Sequence, residues 1–119
     1  LVRKEGELNY SQPITKAVRY IRAHLYEPIG SSEIAQYIDL NQHYFSSLFK
    51  KEVGQTPSQY IRSQKMSEAL TLLDEGQYSI TESAEMLAYC SLSYFSSEFK
   101  RVYGQSPKQY IRFVTLDHA

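Results

Sequence analysis

Cysteine is nearly missing: Cys90 stands alone among 119 residues. No internal disulfide can form, so packing has to hold the fold, and the thiol reads as buried or inert in a reducing cytoplasm. No apolar run is long enough to span a membrane, and no signal-peptide pattern opens the chain. There is no glycine-rich phosphate loop, no metal-ligand spacing and no pairing of nucleophile with base. An enzyme is therefore the weakest class, and no cofactor is implied. Alternation of period two is lacking throughout, which argues against strands. Net charge is lacking too. The 13 basic and 13 acidic residues cancel, which counts against nucleic-acid binding, since phosphate usually demands a basic surface.

What the chain does have is one stretch written twice. Residues 44–62 read YFSSLFKKEVGQTPSQYIR and residues 94–112 read YFSSEFKRVYGQSPKQYIR, 50 positions apart, with 13 of 19 positions identical. Two copies of one supersecondary unit are expected. Phe45, Leu48, Phe49 and Val53, then Phe95, Phe99 and Val102, recur at helical spacing on one face. Gly54 and Gly104 end those helices, because glycine takes a left-handed C-terminal conformation cheaply. Thr56-Pro57-Ser58-Gln59 and Ser106-Pro107-Lys108-Gln109 are capping boxes with proline in the first helical turn.

The rest also reads as helix. Ser11 can cap a first helix with Ile14, Ala17, Val18, Ile21 and Leu25 on its buried face, ending by Pro28-Ile29-Gly30. Ser31 or Ser32 caps a second, with Ile34, Ala35 and Ile38 inward. Asp39-Leu40-Asn41 turns the chain, and Asn41 caps the helix carrying His43 to Val53. A longer helix from Pro57 to about Glu75 buries Tyr60, Ile61, Met66, Ala69, Leu70 and Leu73. At about 1.5 Å per residue it is roughly 28 Å long, close to one turn of DNA at about 34 Å. Ser79-Ile80-Thr81-Glu82 is a third capping box, and its helix carries Ala84, Leu87 and Met86. The chain divides into a linker remnant at 1–10, a helix-turn-helix subdomain at 11–55, a connecting helix at 56–76 and a second such subdomain at 77–119. The start at Leu1 suggests a piece of a longer protein with another domain upstream.

The outward face of each repeated helix carries the functional reading. In the first copy it holds His43, Ser46, Ser47 and Lys50; in the second, Ser93, Ser96, Ser97 and Lys100. A short helix, a tight turn and a second helix with such a stripe form a helix-turn-helix. A small, polar, acid-free stripe with a basic end suits a DNA major groove, where Ser, His and Gln reach base edges and Lys meets phosphate. The candidate base contacts are Gln42, His43, Ser46, Ser47, Ser93, Ser96 and Ser97. The candidate phosphate contacts are Lys50, Lys51, Lys100 and Arg101, with the helix N-termini at Ser32 and Ser79. Phe45, Phe49, Phe95, Phe99, Tyr60 and Tyr110 are core by their spacing.

The paired helix-turn-helix pattern, with Ser93-Tyr94-Phe95, Phe99-Lys100, Gly104, Ser106-Pro107 and Tyr110, resembles the DNA-binding domain of the AraC/XylS family of bacterial transcription regulators over roughly residues 12–113. The resemblance implies an all-α, seven-helix fold of two homeodomain-like helix-turn-helix subdomains joined by a long helix. It also implies one recognition helix for each of two successive major grooves of double-stranded DNA, RNA polymerase as a partner, and an upstream sensing, receiver or dimerisation domain. Some positions depart from the family pattern. Asp39 and Ala88 stand where relatives often have a turn glycine, Ser83 where an apolar residue is usual, and Lys65 where an arginine is usual. Ser47 and Ser97 replace longer polar side chains, so few direct base contacts are expected and DNA shape should carry much of the discrimination. The competing class is a helical protein-interaction domain of the same fold with weak or lost DNA affinity, which the zero net charge favours.

Overall fold

The structure is a computed structural model that describes residues 9–117. The linker remnant expected at 1–10 lies almost wholly outside the described residues, as does His118. The described chain contains seven helices: α1 (Gln12–Ala23), α2 (Ser31–Tyr37), α3 (Gln42–Val53), α4 (Pro57–Glu75), α5 (Ile80–Met86), α6 (Leu92–Tyr103) and α7 (Pro107–Asp117). No strand occurs among the described residues. They form two compact units, one of residues up to 25 together with 29–62, the other of 26–28 together with residues from 63 onwards.

In the first unit, α1 presents Ile14, Ala17, Val18 and Ile21, which are buried at the expected spacing of three and four. They meet Ile34, Ala35 and Ile38 at α2, Phe45 and Phe49 of α3, and Tyr60 and Ile61 from the start of α4. The rings of Phe45, Phe49 and Tyr60 form an edge-to-face ladder with centroids 5.6 and 5.5 Å apart. Ser11 occupies the N-cap position of α1 but makes no capping bond. Its N–H and hydroxyl instead both donate to the Glu52 carboxylate of α3, each at 2.7 Å. The helix stops at Ala23, short of the expected proline. The N-cap of α2 is Gly30 rather than Ser31 or Ser32. The extended backbone at Gly30 leaves both serines already inside the helix.

In the second unit, Met66, Ala69, Leu72 and Leu73 of α4 pack with Ala84 and Leu87 and with Phe95 and Phe99 of α6. Tyr103 lies against this core and donates its hydroxyl to the Met66 carbonyl at 2.9 Å. Tyr110 of α7 is half-buried rather than core, and its hydroxyl donates to Asp74. Val102, expected on the buried face, is 46% exposed, while Glu98 is buried at the place that Leu48 holds in the first copy. Val102 stands at the place of Glu52 in the first copy, and it is its neighbour Tyr103, at the place of Val53, that closes the end of this core. Ser83 is completely buried and satisfies its hydroxyl on the Ser79 carbonyl at 2.9 Å. Lys65 is also buried; its ammonium donates to the carbonyls of Glu27 at 2.9 Å and Leu87 at 2.5 Å. Burial lowers its pKa from the usual lysine value.

Candidate nucleic-acid interface

The two units build their helix-turn-helix corners in the same way. After α2, the N–H groups of Ile38, Asp39 and Leu40 bond the carbonyls of Ile34, Gln36 and Ala35. After α5, those of Leu87, Ala88 and Tyr89 bond Ser83, Glu85 and Ala84. This is the pattern of a helix ended by a left-handed residue. The left-handed residues are Asp39 at φ 60° and Ala88 at φ 62°, the two positions where the resemblance implies a turn glycine. The small side chains of Ala35 and Ala84 are buried beside these corners.

Each following helix is then fixed at both ends. Asn41 accepts the Tyr44 N–H at 3.1 Å and Ser91 accepts the Tyr94 N–H at 3.0 Å. Gly54 and Gly104, with φ of 96° and 78°, return their N–H groups to the carbonyls of Lys50 and Lys100. A closed cap at one end and a glycine stop at the other set the register of the outward residues.

That register leaves His43, Ser47 and Lys50 exposed on α3, with Ser46 half-buried beside them. On α6, Ser93, Ser97 and Lys100 are exposed, with Ser96 half-buried. Lys51 and Arg101 extend the basic ends into solvent. Gln42 is exposed, and its amide nitrogen donates to the Ser31 hydroxyl at 3.0 Å, so part of its hydrogen-bonding capacity is already committed. Ser32 and Gln42 line one open depression together with Gln36 and Asn41. Ser79 is the N-cap of α5. Its hydroxyl accepts the Glu82 N–H at 3.0 Å, and the Glu82 carboxylate accepts the Ser79 N–H at 2.8 Å. Its own acid thus occupies the site where a phosphate would approach, and the hydroxyl proton is what Ser79 has left to donate.

Two residues of this surface escaped the sequence reading. Tyr44 and Tyr94 lie in the first turns of α3 and α6 and are 56% and 47% exposed. Their positions, three before Ser47 and Ser97 and seven before Lys51 and Arg101, are those of helical neighbours. That spacing is the signal that could have identified them. Cys90, expected to be buried or inert, is exposed in the corner leading to α6.

A family model described as a helix-turn-helix domain matches residues 34–112. The regulatory protein PocR of Salmonella typhimurium is 33% identical over 88 residues, which cover 74% of this chain and 29% of PocR. The C-terminal domain of AraT, a response regulator from Geobacillus stearothermophilus, superposes with a TM-score of 0.85 at 29% identity, covering 88% of each chain. The DNA-binding domain of AdpA, a global transcriptional factor solved in complex with a target DNA, superposes with a TM-score of 0.81 at 26% identity, covering 86% of this chain and 92% of that one. The matched region is only 29% and 32% of the length of two of the curated relatives.

Proposed function

The chain belongs to the AraC/XylS family of helix-turn-helix regulators, and from that premise we propose that it binds double-stranded DNA and regulates transcription. The observation that carries the reading is the duplicated helix that is capped, stopped and turned outward with a small polar stripe and a basic end. AdpA, whose DNA-binding domain has the same fold, was captured on a target DNA. In this reading α3 and α6 each enter one of two successive major grooves. His43 and Ser47 in the first unit, and Ser93 and Ser97 in the second, address base edges. The half-buried Ser46 and Ser96 make shorter contacts, and Gln42 joins them once it releases Ser31. Lys50, Lys51, Lys100 and Arg101 meet phosphates, with Ser32 and the free hydroxyl proton of Ser79 as weaker contributors.

Serine cannot make the bidentate guanine contact that arginine makes, so shape and deformability carry much of the sequence preference. RNA polymerase and an upstream sensing, receiver or dimerisation domain complete the proposal, in keeping with the greater length of the relatives. A salt titration of duplex binding tests it. Neutralising four phosphates through Lys50, Lys51, Lys100 and Arg101 gives a slope of log K against log salt of about −3 to −4. Absent binding at low salt, or binding that is flat with salt, would instead support the protein-interaction domain that the zero net charge favours.

A further inference from the structure

Within the second unit, the turn before α6 is held by a contact chain that starts at a buried cation. The Lys65 ammonium donates to the Leu87 carbonyl at the C-cap of α5 and to the Glu27 carbonyl. A helix C-terminus leaves carbonyls without intrahelical donors, and a cation is favourable there. The same ammonium lies 5.9 Å from the centre of the Tyr89 ring, on the residue that follows the left-handed Ala88. Tyr89 in turn packs on Phe95 at 5.2 Å and on Tyr94 at 5.6 Å. One side chain of α4 is therefore joined, through Leu87 and Tyr89, to the first exposed turn of α6.

The first unit is built without the chemistry for this. In the register that matches Ile14 and Ala17 of α1 with Met66 and Ala69 of α4, Lys65 corresponds to Pro13. Tyr89 corresponds to Leu40. The duplicated helices are thus supported differently, although their outward stripes are nearly the same.

We infer that Lys65 and Tyr89 are positioning residues for DNA readout by the second unit: they fix the turn before α6 and the ring of Tyr94, so that Ser93 and Ser97 meet the bases in one orientation. The inference rests on the DNA-binding reading above and goes beyond it. Neither residue touches DNA in this account. Their effect is on sequence discrimination at one half-site, not on the general attraction to phosphate.

The test is the base-preference profile of this chain on a pool of randomised duplexes, with the half-sites assigned through Ser47→Ala and Ser97→Ala. Lys65→Met and Tyr89→Leu should each flatten the preference at the second-unit half-site by about fivefold, the low end of what one good base contact contributes. The preference at the other half-site and the salt dependence should stay as in the parent chain, and Lys65→Arg should restore the profile. If Lys65→Met fails to fold, Tyr89→Leu and Lys65→Arg still decide the matter. A profile unchanged in Tyr89→Leu, or one flattened equally at both half-sites, overturns the positioning role while leaving DNA binding intact. A parent chain that binds no duplex overturns the DNA-binding reading and this inference with it.

Discussion

Asp39 and Ala88 share one left-handed backbone conformation, φ 60° and φ 62°, each in the corner of its own helix-turn-helix. For asparagine-like side chains that conformation is tolerable. For alanine it costs about 1–2 kcal/mol, because Cβ crowds the following carbonyl. Ala88→Gly should relieve that strain and recover part of it against the greater unfolded-state freedom of glycine, a net stabilisation of about 0.5–1 kcal/mol. Asp39→Gly should gain less. Urea unfolding midpoints of the two variants check this; a lower midpoint for Ala88→Gly would contradict the strain.

Ser83 looks like a misplaced polar residue, since it is fully buried. Its hydroxyl, however, donates to the Ser79 carbonyl, which also accepts the Ser83 N–H at 2.9 Å. Ser83→Ala removes donor and hydroxyl together and leaves that carbonyl bonded. The expected change is within about 1 kcal/mol, measured by thermal unfolding, rather than the larger loss that follows an orphaned buried group.

The caps of the two outward helices give a paired prediction. Asn41→Ala and Ser91→Ala each remove the acceptor for one N–H, that of Tyr44 or Tyr94. Each should destabilise by about 1 kcal/mol. Because the first turn frays, hydrogen exchange of the Tyr44 or Tyr94 amide should quicken in the affected helix and not in the other.

The hydroxyl of Tyr26 donates to Glu68 and that of Tyr110 to Asp74, and these bonds push both phenols up to about 12. Burial and the nearby carboxylates add to the shift, Glu75 acting on Tyr26 as well. A pKa raised in the folded state means that the stabilising contribution is complete below the ordinary tyrosine value of 10.0 and disappears as pH rises from there through about 12. Spectroscopic titration of phenolate should show a late-ionising group of tyrosines, diminished by Tyr26→Phe and by Tyr110→Phe. Neither substitution should alter the unfolding midpoint's pH dependence near neutrality.

On DNA, Lys50→Ala combined with Lys100→Ala should weaken binding to all duplexes alike and make the salt slope shallower by about 2, one for each lost phosphate contact. His43→Ala should change the preference at one half-site while leaving the slope alone. Parallel binding titrations at several salt concentrations separate the two effects.

Much of this was legible in the sequence because it depends on near neighbours. The bonds of Thr56 with Gln59, Ser79 with Glu82 and Ser106 with Gln109 form as the letters suggest, each within four residues. The outward stripes followed from spacing, and the left-handed corners from the resemblance, which puts a turn glycine where Asp39 and Ala88 stand. What stayed hidden depends on depth or distance. Periodicity gives the azimuth of Val102 but not that the larger Tyr103 beside it takes the place against the core. Tyr44 and Tyr94 were obscured because tyrosines at helical spacing read first as packing residues. A lysine within an apolar helix reads as solvated, so the burial of Lys65 between two backbone carbonyls had no local sign.

The bond from Ser11 to Glu52 spans 41 positions and was equally invisible. Both groups that Ser11 can donate end on one carboxylate at the far end of α3. The N-cap residue of α1 is thus moored to the last turn of the helix that carries His43 and Ser47. Loss of that carboxylate would therefore release the start of α1 and the last turn of α3 together.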